Sequence, residues 1–152
     1  MALDVVDRTI LSYLRADSKT QIKDMAKELK MHPNTLLQRV RKLEKCGIIR
    51  GYQADVDYAK AGYDLHLLIS MKIKSGKAGD MEQLKDLLKI KEFEAIYAAS
   101  GNWDVVVLCR VKNRQHMLDV VHMIGEHEIV KETNTSIILH DYKRPGQYNP
   151  FI

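Results

Sequence analysis

Part-way along this chain the hydrophobic period changes, which limits the folds open to it. Up to about Gly47 the apolar residues recur three and four apart, as on one face of a helix. From Leu65 they alternate, with Leu67, Ile69, Met71 and Ile73 on one face of a strand. A chain that switches period in this way divides into a helical part and a mixed part, and 152 residues suffice for two small cores.

In the helical part, Asp4 is placed to cap a first helix and Asp7 lies in its first turn, both favourable at the positive end of a helix. Val6, Ile10, Leu11 and Leu14 form its apolar stripe, which ends near Ala16. Asp17-Ser18-Lys19 reads as a turn, after which Thr20 can cap a second helix running through Leu29, with Ile22, Met25, Ala26 and Leu29 inward. Lys30-Met31-His32 is a short turn into a third helix, Pro33 to Cys46, with Pro33 in the first turn and Gly47 at its close. Leu36, Val40 and Leu43 share one stripe of that helix, and Asn34, Gln38, Arg41 and Lys45 share the opposite one. Amides and cations on a free helix face suit base edges and phosphates in a major groove, although a solvated amphipathic helix has the same pattern.

Helix, helix, tight turn, helix is the outline of a helix-turn-helix with a supporting first helix. Charge favours the DNA reading over other helical hairpins. Residues 1–50 hold 11 Lys/Arg against 6 Asp/Glu, whereas residues 51–152 hold 13 against 14, so the overall +4 belongs to the first third. A polyanion partner for that third follows.

After Gly47, Ile48 to Val56 is β-rich and roughly alternating, and one or two short strands there would make the domain winged. Asp57 to Tyr63 reads as the linker, which sets the domains at 1–60 and 61–152. Beyond it come a strand, Leu65 to Lys74; a break at 75–79; and a helix capped by Asp80 and carrying Met81, Leu84, Leu87 and Leu88. A strand from Phe93 to Ala99, a turn at 100–103, and a strand from Asp104 to Lys112 follow, the last with an apolar run, 105–109, that suggests burial on both faces. A helix from Asn113 to His127 and a strand from Val130 to Tyr142 complete the order βαββαβ. The expected fold class is therefore α+β, a winged helix-turn-helix followed by a ferredoxin-like domain. One sheet face is left partly apolar and uncovered, so a partner subunit is expected on it.

Other classes are disfavoured. No apolar run is long enough to span a membrane, and Asp4 and Asp7 interrupt any signal-like start, which places the protein in the cytoplasm. Cys46 and Cys109 lie in separate segments without a paired motif and read as structural thiols. The spacings of His116, His122 and His127 do not repeat on a helix face, so no shared metal site is expected, and no cofactor. Trp103 reads as a core or interface anchor, and 145–151 as a loose terminus unless Tyr148 and Phe151 dock on a partner.

In order and spacing, several motifs resemble the Lrp/AsnC, or feast/famine, transcription factors. They are Leu3-Asp4-x-x-Asp7-x-x-Ile10-Leu11; Met25-Ala26; Thr35-Leu36-x-x-Arg39-Val40-x-x-Leu43-Glu44-x-x-Gly47-Ile48-Ile49-x-Gly51-Tyr52-x-Ala54; and Ser100-Gly101-Asn102-Trp103-Asp104. The resemblance covers nearly the whole chain. It implies a winged helix-turn-helix reader joined to a ligand-responsive βαββαβ domain that dimerises and often assembles into octamers. It also implies an amino-acid effector near the turn between the second and third strands. Two positions depart from the family pattern. His32 stands where a capping Ser is usual, so the helix start is expected to use Asn34 or Thr35, and Asn102 stands where an Asp often sits.

The residues assigned to double-stranded DNA are Asn34, Thr35, Gln38 and Arg41 at base edges, and Arg39, Lys42, Lys45 and Arg50 at phosphates. Arg39 lies nearer the packed stripe, and an intradomain ion pair is the alternative for it. Gly101, Asn102 and Asp104, supplemented by Thr133, Thr135 and Ser136, are the candidates to hold an amino acid's ammonium and carboxylate. A plain β-turn beside strand threonines is the alternative. Two rival functions remain. An architectural DNA-coating protein shares every feature of the basic domain. A sirohaem-decarboxylase-like enzyme is disfavoured, because Arg50-Gly51 stands where those enzymes carry an Arg-Arg pair and no nucleophile, phosphate loop or metal spacing is evident.

Overall fold

The computed structural model describes residues 2–74 and 81–151 and divides the chain into two compact units. One holds the residues up to Asp55 together with those from Tyr142 onward; the other spans Val56–Asp141.

The first unit is built on α1 (Val5–Ala16), α2 (Ile22–Glu28) and α3 (Pro33–Lys45). A reciprocal capping box starts α1: the Asp7 N–H donates to Asp4 Oδ1 at 2.8 Å, and the Asp4 N–H to Asp7 Oδ2 at 3.4 Å. The start of α2 differs from expectation. Gln21 occupies the cap position without a side-chain bond, because the Thr20 hydroxyl turns back to donate to the Asp17 carbonyl. Ile10, Leu11, Met25, Ala26, Leu36, Val40 and Leu43 form one core across the three helices. At the end of α3, Gly47 takes φ +72°, and the N–H groups of Ile48 and Ile49 close on the Leu43 carbonyl.

Two expectations for this unit fail. Residues 48–56 form no strand, since β-propensity alone cannot make a ladder and this segment runs beside no second strand of the chain. The C-terminal tail, in turn, is held by its own unit. The Arg15 guanidinium donates to the carbonyls of Tyr148 (2.8 Å) and Gly146 (3.3 Å), Asn149 donates to the Ser12 carbonyl (3.3 Å), and Phe151 packs against the helical core.

The second unit is a four-stranded antiparallel sheet, ordered β2-β3-β1-β4, of β1 (Leu65–Ile73), β2 (Phe93–Ala98), β3 (Val105–Val111) and β4 (Val130–Ile137). The helix α5 (Arg114–Gly125) covers one face, and its N-cap Asn113 accepts from the His116 N–H. Leu67, Ile69, Met71, Ile73, Val105, Val107, Cys109 and Val111 are buried against Val120 and Ile124. The helix expected after β1 is reduced to one turn, α4 (Met81–Leu84), and a 3₁₀ turn at Leu87–Lys89. Leu84 and Leu87 are buried three residues apart, which suits a tighter turn, and Leu88 is turned outward. The expected Asp80 cap lies outside the described residues.

Burial along β3 alternates between buried and half-buried residues instead of being continuous, because among the described residues no helix packs on the second sheet face, which is covered only at one end, by the Tyr58 ring over Arg110 and by Asp141 near His66. That outer face carries Leu68 in register with Leu108, Tyr97 with Val106, and His66 with Arg110. Burial, then the nearby Arg110, hold the His66 imidazole below its ordinary pKa, against the opposing pull of Glu94 and Asp141.

Candidate functional site

The polar stripe of α3 is free because the apolar stripe behind it is fully used. Leu36 and Leu43 are 0% exposed and Val40 5%. Asn34, Thr35, Gln38, Arg41, Lys42 and Lys45 are all exposed, as is Arg50 beyond the helix end. Glu44, the only acid of α3, accepts a hydrogen bond from the Tyr52 hydroxyl at 2.9 Å. Arg41, Lys42, Lys45 and Arg50 have no carboxylate partner among the described residues, so their charge is available to an external anion.

Arg39 is the exception among the residues expected at DNA. Its Nη1 donates to Asp4 Oδ2 at 2.6 Å and Asp7 Oδ1 at 2.7 Å, joining α3 to the cap of α1. Two carboxylates already neutralise it, so it acts as the clasp that fixes the angle of α3. The Asp7 N–H, and after it the Arg39 guanidinium, hold the Asp4 carboxyl below the usual carboxylate range.

The start of α3 also corrects an expectation. Its N-cap is His32, whose Nδ1 accepts from the Asn34 N–H at 3.3 Å, so neither Asn34 nor Thr35 is consumed as a cap. Pro33 hid this arrangement from the sequence, since it marks the first turn without saying what precedes it. Just before the cap, Lys30 takes φ +51°, a left-handed conformation uncommon for a residue with a Cβ.

In the second unit, Gly101 turns the chain with φ +108°. A shift in the β1–β4 register between Lys72 and Ile73 accompanies a bond from the Ile73 N–H to Asp104 Oδ2 at 2.8 Å, while the Asp104 N–H donates to the Met71 carbonyl. Asp104 is therefore already engaged by the fold. Thr133 is in register with Met71, and Thr135 with Ile69, which puts both threonines on the helix-covered face. Strand alternation puts Ser136, paired with Leu68, on the other face, so it cannot join them. Asn102 is exposed at the turn, and the Lys72 ammonium sits 5.3 Å from the Trp103 ring centre. Burial pushes the Cys109 thiol up to about 11, which leaves it an inert core residue.

A family model described as winged helix-turn-helix DNA-binding matches residues 3–50, and one described as Lrp/AsnC ligand binding domain matches residues 67–148. The chain belongs to the Lrp/AsnC family. An uncharacterised HTH-type transcriptional regulator of Pyrococcus horikoshii is 31% identical to this Lrp/AsnC chain over 150 residues, 99% of the chain and 100% of the relative. The E. coli AsnC structure matches with a TM-score of 0.86 and 27% identity, covering 95% of this chain and 97% of that one. A feast or famine regulatory protein of M. tuberculosis, complexed with L-methionine, matches with a TM-score of 0.88 and 27% identity over 98% and 100% of the two chains. This Lrp/AsnC protein is thus a regulator of the helix-turn-helix type with a ligand-binding domain, and the relatives named here are regulators rather than enzymes. Among the described residues, no helix is long and apolar enough to cross a membrane.

Proposed function

We propose that this protein is a sequence-specific, dimeric transcription regulator of the cytoplasm whose DNA affinity responds to an amino acid. The observation that carries the reading is the exposed amide-and-cation stripe on α3, backed by a fully packed apolar one. Asn34, Thr35, Gln38 and Arg41 read base edges in the major groove; Lys42, Lys45 and Arg50 hold phosphates. Arg39 positions the helix through Asp4 and Asp7. A dimer presents two such helices to half-sites one helical turn apart, and dimers can assemble further into octamers.

The effector reading draws on the L-methionine bound by the M. tuberculosis relative. Gly101 and Asn102, with Thr133 and Thr135 nearby, hold the ammonium and carboxylate of an amino acid, while Asp104, whose backbone N–H and carbonyl are taken by Met71 and Ala99, shapes the turn. Ser136 is set aside because it belongs to the other sheet face.

The test is sequencing of genomic fragments retained by the purified protein at physiological salt, with and without a pool of amino acids. Enrichment of a two-fold-symmetric site that changes with amino acids is the expected result. Retention without preference would favour an architectural role, and no retention would remove the DNA assignment.

A further inference from the structure

An imidazole is an unusual helix cap, and using it as one has a chemical consequence. Nδ1 of His32 accepts the Asn34 N–H, so it carries no proton. In the neutral ring the proton is then on Nε2, and the two ring nitrogens diverge, so this N–H faces away from the backbone that Nδ1 caps. His32 is exposed, and its Nε2 has no hydrogen-bond partner among the described residues. A serine or aspartate in its place would spend its short side chain on the cap. His32 spends one nitrogen and keeps a donor on the other.

That donor precedes Pro33, Asn34 and Thr35, at the end of α3 that enters the groove if the DNA-reading function proposed above holds. We propose that His32 is a DNA-contacting residue as well as a cap, its Nε2–H donating to a phosphate oxygen where the recognition helix enters the groove. A phosphate is the acceptor because His32 lies outside the helical stripe of Asn34, Gln38 and Arg41, which would face the bases. The contact orients the helix start and carries no sequence preference.

Capping and contact separate by substitution in the full-length protein. His32→Ser keeps a cap, and Ser is among the better N-cap residues, but it has no side chain long enough to reach a phosphate from there. Its thermal midpoint is expected to hold, and its affinity for a mixed-sequence duplex of two or three helical turns to fall on the order of tenfold, the scale of one lost hydrogen bond to a charged acceptor. The salt slope is expected to stay, since a neutral donor releases no counterion. His32→Asn, which can cap through Oδ1 and donate through Nδ2, is expected to recover part of the loss. A stable His32→Ser variant with wild-type affinity would overturn the proposal. Should that variant fail to fold, the wild-type protein decides. The long-range nitrogen signal of His32 Nε2 is expected to move when the duplex is added, and an unmoved signal overturns the contact. A wild-type protein that binds no duplex overturns both this contact and the DNA reading beneath it.

Discussion

Removing the Arg39 guanidinium leaves the Asp7 carboxylate, with a side chain only 12% exposed, without its cation. Arg39→Ala is therefore expected to lower the unfolding free energy by about 1–3 kcal/mol, measured by urea denaturation. The pH dependence has a definite sign. Asp4 titrates lower in the folded protein than in the unfolded chain, so its contribution is present above the ordinary carboxylate pKa and lost as pH falls through the lowered value. Arg39→Ala should shrink that acid-side loss as well. Lys30 offers the opposite substitution. Its left-handed φ of +51° disfavours a Cβ, and Lys30→Gly is expected to raise stability by about 1 kcal/mol in the same assay. Neither arrangement was fully legible in the sequence. The azimuth of Arg39 on its helix suggested an ion pair without naming Asp4 and Asp7, and nothing in Lys30-Met31-His32 reveals which residue makes the turn.

The elements were legible where periodicity and burial agree. Leu36, Val40 and Leu43 on α3, and Leu67, Ile69, Met71 and Ile73 on β1, lie buried as their spacing requires. Element ends and unpaired segments were less legible, because they depend on neighbours that spacing does not encode. Thr20 had a competing carbonyl, Leu88 fell beyond a tight turn, and residues 48–56 had β-propensity without a strand beside them. For the candidate site, the exposed face of α3 could be read from the sequence, and strand alternation alone separates Ser136 from Thr133 and Thr135, whereas which of the two faces the helix covers needed the strand register. Two substitutions on α3 test its proposed division of labour. Lys42→Ala is expected to weaken binding to all sequences alike and to flatten the logarithmic salt slope by about one unit. Gln38→Ala is expected to relax one base position at a cost of roughly 1–3 kcal/mol, with the salt slope retained. Binding titrations over a salt series, on the selected site and on its single-base variants, distinguish the two.

At the level of the whole molecule, a basic helical unit and a sheet unit with an open face divide the work. Leu68, Val106, Leu108 and Tyr97 share that open face, with Tyr97 55% exposed in the single chain. A second copy covering it would explain why apolar residues stand half-exposed on that face in the single chain. Leu108→Asp is accordingly expected to shift the protein toward the monomer in light scattering, and to weaken binding to a two-half-site duplex far more than to a single half-site. A specificity ratio decides whether α3 reads sequence or merely holds phosphates. Affinity for the most enriched genomic site would be compared with affinity for a shuffled duplex of equal length, both at physiological salt. A ratio on the order of 10³ or more is predicted. A ratio near one would make the exposed stripe of α3 a phosphate-binding surface only.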